Sequence, residues 1–163
     1  MLSRTVPLIF LLPALLAAAQ LASDTGRSRM RSAQEENIRE AAFRYLFRHN
    51  ASGLQQDARV FCLSIHDRDP KDAFLARFHD VKARILPRSA CSVGGLNGVH
   101  DRQRWEEGLM FDLATEIYWS SDDEAYVDGT YYAAPLSAAG YTWRLRRHGM
   151  NWIVVSARML WIS

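Results

Sequence analysis

The stretch LMFDLATEIYW, residues 109–119, decides the fold because apolar and polar side chains alternate along it. Its odd-numbered positions, from Leu109 to Trp119, form a mainly apolar row, whereas its even-numbered positions include Asp112 and Glu116. A period of two residues is typical of a β-strand that buries one face. The stretch therefore predicts a strand whose odd-numbered side chains face a hydrophobic core.

Three more strands are predicted downstream of this one. Alternating or β-branched apolar residues recur at residues 125–132, 141–146 and 152–163. The intervening segments hold Ser, Asp, Pro, Gly and Asn residues that favour turns and connections. Consecutive strands with short connections pair antiparallel, so this half of the chain predicts a four-stranded meander.

A long helix is predicted upstream of the strands. Apolar residues recur at helical spacing over residues 33–49, as at Ile38, Ala42 and Tyr45. Ser32 and Glu35 form the pattern of a capping box, so the helix is expected to begin there.

The region between the helix and the meander holds shorter elements. Residues 59–65 hold five apolar residues, four of them consecutive from Val60 to Leu63, and predict a strand buried on both faces. Asp69 and Pro70 have the chemistry of a helix start, and residues 89–93 give a second strand signal. Residues 94–107, with three glycines and mixed charge, predict a loop.

These elements predict an α+β fold. A long N-terminal helix packs on a curved, mostly antiparallel sheet of five to six strands, because the apolar face of the meander needs a cover. A closed barrel of the lipocalin type requires about eight strands, more than the sequence indicates.

Length and composition bound the class of protein. The chain has 163 residues, is 48% hydrophobic and 23% charged, and therefore has the composition of a globular protein. Its formal net charge of +2 gives no long-range field that would imply nucleic-acid binding.

The first residues predict export. Arg4 precedes an apolar stretch that ends in small residues at 17–19, which is the pattern of a signal peptide over residues 1–19. Residues 20–32 are then expected to be a flexible leader, and residues 33–163 a single periplasmic or secreted domain. The alternative is an uncleaved segment that anchors the protein in a membrane. No later segment is apolar enough to span one.

The two cysteines fit this compartment. An even pair in an exported chain is usually bridged, so Cys62 and Cys91 are predicted to form a disulfide. The alternative is two buried thiols that pack as small apolar side chains.

In the order of its predicted elements, the chain resembles the NTF2-like superfamily, also called the cystatin-like roll. The resemblance covers about residues 33–163 and rests on element order and on the tail from Trp152 to Ser163, which is similar to that of small exported bacterial members without an assigned function. It implies a cone-shaped roll with a cavity between helix and sheet. Some members use carboxylates and tyrosines there for proton transfer, but no position can be carried over to this chain.

Three residues are candidates for acid–base chemistry. His66 ends the predicted buried strand, and imidazole titrates near neutrality. Asp112 and Glu116 share one strand face, but two alternations place them roughly 13 Å apart, too far for a shared proton. Solvent exposure is the alternative explanation for all three residues.

Three tyrosines, Tyr126, Tyr131 and Tyr132, are candidates for ligand binding, although tyrosine is also a favoured strand residue. The five histidines lie in separate segments without the spacing of a zinc site, so no metal is predicted. Cofactor motifs such as a phosphate-binding glycine loop are missing, so no cofactor is predicted.

Three functions therefore remain open. The first is a ligand-binding or protein-interaction module, whose partner is a small apolar ligand or a protein. The second is a small-molecule lyase or isomerase with an acid–base residue in the cavity. The third is a structural envelope protein that assembles as a homo-oligomer, for example a homodimer.

Overall fold

The structure is a computed structural model that describes residues 12–53, 57–94 and 98–163. Residues 1–35 and 36–163 form two units. The first contributes the N-terminal part of helix α1, which covers Leu12–Leu46 as a whole, and the second contributes everything else. No helix among the described residues combines the length and the hydropathy that a membrane span requires.

The predicted start of the first helix is wrong. The backbone is helical from Leu12, so Ser32 and Glu35 lie inside α1 rather than at its start, and residues 20–32 are helical rather than irregular. Gly26 is the single glycine in residues 20–32, and one interior glycine destabilises a helix by only about 1 kcal/mol relative to alanine. The predicted signal peptide falls partly on residues 1–11, which lie outside the described residues, and stays a prediction.

The main sheet confirms the predicted fold class, because it has six strands, is mostly antiparallel and is not closed into a barrel. Its strand order is β2-β1-β5-β6-β7-β8. Strand β1 pairs in parallel with both β2 and β5, and the remaining pairs are antiparallel. The strands are β1 (Val60–Ile65), β2 (Arg84–Pro87), β5 (Gly108–Ser121), β6 (Glu124–Ala134), β7 (Ser137–His148) and β8 (Asn151–Ile162).

A second sheet and a short helix lie between β1 and β5. Strands β3 (Cys91–Val93) and β4 (Val99–Asp101) form a two-stranded antiparallel sheet, so the predicted loop at 94–107 contains a strand. Helix α2 (Asp72–Leu75) continues into a 3-10 turn at Ala76–Phe78. Its N-cap residue is Lys71 rather than Asp69, because the backbone turns helical only at Asp72, and the Asp69 carboxylate instead accepts a hydrogen bond of 2.8 Å from Ser89 N–H.

The core lies between α1 and the inner face of the main sheet. The helix buries Ile38, Ala42, Phe43 and Leu46, and Phe47 directly after its end is buried as well. Steps of three and four residues link these positions and keep them on one side. Aromatic rings from the sheet and from α2 fill the space against them. The largest fully buried side chains are Trp143, Tyr131, Phe43, Phe78 and Phe111. The interior is therefore packed with side chains rather than hollow.

The outer face of β1 and β5 is covered by the β3–β4 sheet. Val60, Cys62 and Met110 on this face pack against Cys91 and Val99 in a second apolar cluster. Cys62 and Cys91 form the predicted disulfide. A structural disulfide is typical of proteins from oxidising compartments and therefore indicates an exported environment.

Strand β8 forms the opposite edge of the main sheet and is open on one side. Trp152 near its start is buried, but most of the strand is exposed. The exposed apolar side chains are Ile153, Val155, Met159, Leu160, Trp161 and Ile162.

Candidate functional site

A pocket of about 540 Å³ opens at one end of the packed core. Three segments line it: the C-terminal part of α1, the start of β1 with the residues before it, and the approach to β2. We call it the end pocket. Its lining residues are Arg44, Phe47, Arg48, Asp57, Ala58, Arg59, Phe61, Asp80, Val81, Lys82 and Ala83.

The floor of the end pocket is apolar and held by packing. The rings of Phe47 and Phe61 stack with centroids 4.7 Å apart and an angle of 25° between their planes. Both rings also contact Phe111 of the core, and Ala58 beside them is buried. The floor is therefore the outer layer of the core itself, formed before any ligand arrives.

One side of the end pocket is closed by an ion-pair network around Arg44. Its guanidinium donates to Glu40 Oε1 at 2.8 Å and to both carboxylate oxygens of Asp80 at 2.9 and 3.0 Å. The hydrogen bond from Arg44 lowers the pKa of the Asp80 carboxyl, and the bond to Asp80 raises the pKa of Arg44. Both groups are charged at neutral pH and form an ion pair with each other.

The other charged groups of the end pocket are on its rim. Arg48, Arg59 and Lys82 are exposed, and within the described ranges their side chains have no ion pair or hydrogen bond. Asp57, also exposed, is the one carboxylate of the lining not held by an arginine. Among the described residues, the rim therefore has three unpaired cations and one unpaired anion.

The acid–base candidates lie outside this pocket. His66 is exposed in a tight turn between Ile65 and Arg68, with a φ of 52°, and its backbone N–H donates to Leu113 O at 2.8 Å. Asp112 lies nearby, where its Oδ1 accepts from Ser64 Oγ and from the backbone N–H of Asp67. The hydrogen bonds of the turn thus place His66 near Asp112 on the adjacent strand.

Glu116 is separate from these two residues. It is exposed on β5, and its Oε2 accepts a hydrogen bond of 2.9 Å from the Tyr118 hydroxyl. This bond raises the pKa of Tyr118. The three acid–base candidates therefore do not form one site, and the bonds of Asp112 and Glu116 are those of groups that stabilise a turn and a strand surface.

The three candidate tyrosines do not converge either. Tyr126 and Tyr132 lie on the outer face of β6, where Tyr126 donates to Glu124 Oε1 at 3.1 Å and Tyr132 packs against the cluster around the disulfide. Tyr131 points the other way into the core, and burial raises its pKa. Period-two alternation requires this split, because neighbouring strand residues point to opposite faces.

The residues that line the end pocket were missed in the sequence because they come from three distant segments. One signal was present: Arg48 follows the apolar helix face and Arg59 precedes the buried strand, so each places a charge at the end of a buried element. Among the described residues, no group of three or more His, Cys, Asp or Glu side chains is arranged to hold a metal ion.

Comparison with known proteins adds no relative: no family model, no curated protein and no solved structure matches the chain. The resemblance to the NTF2-like superfamily therefore rests on element order and stays a prediction.

Proposed function

We propose that this protein is a small-molecule-binding module of the periplasm or the extracellular space, and that its ligand occupies the end pocket. The observation that carries this proposal is a preformed cavity of about 540 Å³ with an aromatic floor. Ligand sites in proteins typically have volumes of about 300–1,000 Å³ and a mostly apolar lining with a few polar groups. The end pocket fits this description in size and in its apolar floor, and it is more charged than is typical because six of its eleven lining residues are ionisable.

The position of the end pocket supports binding over a purely structural role. Its floor is buried core, so Phe47 and Phe61 keep their places whether or not a ligand is bound. A preformed site loses little conformational entropy when it binds a ligand. The order of helix and strands also supports the proposal that this module is an NTF2-like roll, with its interior filled and its binding site at one end.

Binding is better supported than acid–base catalysis. A lyase or isomerase of the cavity type needs a group that gives or takes a proton beside the substrate. His66, Asp112 and Glu116 lie outside the end pocket. Of the two carboxylates that line it, Asp80 is held ionised by Arg44, which lowers its pKa.

The proposal is tested with an uncharged apolar dye, N-phenyl-1-naphthylamine, whose fluorescence increases in an apolar site. We expect saturable binding to the folded protein and a loss of about tenfold or more in affinity for Ala83→Trp, because the indole fills the pocket. Ala73→Trp, at an exposed position of α2 outside the pocket, is the matched control and should bind as wild type. Thermal unfolding checks that both variants fold. No binding, or equal binding by both variants, contradicts the proposal.

A further inference from the structure

We infer that the ligand of the end pocket is a small amphiphile with one anionic head group, its apolar part on Phe47 and Phe61 and its head among Arg48, Arg59 and Lys82. This inference rests on the proposed function and adds the chemical class of the ligand.

The first argument is the charge left over after internal pairing. Arg44 and Asp80 neutralise each other across the pocket wall. What remains for a ligand is the three rim cations against Asp57 alone. Guanidinium and ammonium groups form hydrogen bonds with carboxylates and phosphates that are roughly twice as strong as neutral ones. An anionic head is therefore favoured over an uncharged one, and a cationic head is disfavoured.

The second argument is that each rim cation is anchored at a fixed piece of backbone. Arg59 is clamped between two strands, because its N–H donates to Glu107 O at 3.0 Å and its carbonyl accepts from Arg84 N at 2.9 Å. Arg48 is held at the end of α1 by a bond of 3.1 Å from its N–H to Tyr45 O. Lys82 follows Val81, whose N–H donates to Phe78 O at 3.0 Å. A ligand therefore needs to order side chains only.

The third argument is that the charged rim and the apolar floor belong to the same elements. Phe47 and Arg48 are neighbours in the chain, and Arg59 and Phe61 are separated only by Val60. A ligand that contacts the two rings consequently places its other end at the arginines. A wholly apolar ligand leaves the arginines without a partner, and a small inorganic anion fills little of the pocket volume of about 540 Å³.

The experiment uses three ligands with the same eight-carbon chain: octanoate, octan-1-ol and octyltrimethylammonium, each competing with N-phenyl-1-naphthylamine at neutral pH. We expect octanoate to bind about tenfold or more tightly than octan-1-ol, as for a charge-assisted hydrogen bond, and octyltrimethylammonium to bind weakest. Arg59→Gln should weaken octanoate binding several-fold and leave octan-1-ol binding unchanged.

Arg104→Gln is the matched control. Arg104 is exposed, lies outside the end pocket and has no side-chain partner within the described ranges, so its replacement should change neither ligand. Equal affinities for octanoate and octan-1-ol, or tighter binding of the cation, overturn the inference while the proposed function stands. Failure of all three ligands and of the dye overturns the proposed function itself.

Discussion

The two ends of the main sheet are built differently. Strand β1 is covered by α1 on its inner side and by the disulfide-linked β3–β4 sheet on its outer side, and only Ile65 at its end is partly accessible. Strand β8 at the opposite edge is exposed along nearly its whole length, although nine of its twelve residues are apolar. Apolar sequence therefore does not by itself decide which strands are buried.

The difference follows from how each strand is connected. Parallel strands require long crossover connections. The connection between β1 and β5 contains α2, β2, β3 and β4, which pack around β1 and shield it from solvent. Strands β5 to β8 are joined by tight turns, which supply nothing to cover the last strand. Stability is therefore concentrated in the core beneath α1 rather than along β8, and four predictions measure this contrast.

The largest expected effect is a difference in the free energy of unfolding between variants of two tryptophans on neighbouring strands. Trp143 on β7 is 1% exposed, and its replacement by alanine should lower the free energy of unfolding by about 3–5 kcal/mol, because it leaves a cavity. Trp161 on β8 is 47% exposed, and Trp161→Ala should cost about 1–2 kcal/mol. Urea unfolding measures both values. If Trp143→Ala does not fold, Trp143→Phe replaces it in the comparison. Equal losses of unfolding free energy at the two positions contradict the contrast.

Removal of the disulfide should have the next largest effect. The bridge joins residues separated by 29 positions, and the double variant Cys62→Ala, Cys91→Ala should lose about 3–4 kcal/mol through the larger entropy of its unfolded chain. Reductant should destabilise the wild-type protein similarly and leave the double variant unchanged. A wild-type protein that is equally stable with and without reductant contradicts this prediction.

Two glycines give a smaller, matched comparison. At Gly129 of β6, a Cβ atom lies 2.9 Å from Trp143 Cζ3 and overlaps the backbone carbonyl of Asp112, so Gly129→Ala should cost about 1–3 kcal/mol. At Gly140 of β7, the three atoms nearest to the Cβ atom all belong to the ring of Trp161, which is half exposed and can turn outward. Gly140→Ala should therefore cost about 1 kcal/mol or less, because the ring yields at the surface. Thermal unfolding of both variants measures the difference, and a larger loss at Gly140 contradicts it.

The smallest effect concerns pH. The pKa of the Asp101 carboxyl on β4 is lowered by a hydrogen bond from Arg84 and by the backbone N–H of Gln103. A pKa that is lower in the folded state stabilises the protein above about pH 4 and stops doing so as the pH falls through the folded value. Asp101→Asn should therefore be less stable than wild type at neutral pH, and the gap should narrow below about pH 4.

The control for this prediction lies in the main sheet, at the start of β6. Arg146 lowers the pKa of Glu124 on β6, and this pair is more accessible to solvent than Arg84 and Asp101, so Glu124→Gln should show the same trend with a smaller amplitude. Denaturant unfolding at several pH values measures both. A gap for Asp101→Asn that widens in acid would contradict the assignment of its partner.

The sequence predicted the elements whose pattern is local. Alternation from Leu109 to Trp119 and in the later strands identified β5 to β8, and the run at 59–65 identified β1. Strand β2 was missed because its four residues, Arg84–Pro87, are all half-buried and show no period. The N-terminal extension of α1 was missed because Ser32 and Glu35 match the capping-box pattern whether they lie at the start of a helix or inside it.

The end pocket could not be predicted in the same way. Phe47, Arg59 and Lys82 meet only after β1 has paired with β2 and the helix has packed over them. No spacing in the chain encodes this meeting, because it depends on tertiary packing. The isolated acid–base candidates were recognisable by residue type, but the structure places none of them in the cavity.

The parallel placement of β1 beside β5 also has a consequence for the order in which the fold forms. Val60 pairs with Gly108 across 48 positions of chain, whereas the hairpins from β5 to β8 close within a few residues of their turns. Closing a long loop costs more entropy and slows folding. We expect the hairpins to form early and β1 to join them late, so the end pocket is assembled only in the final step of folding.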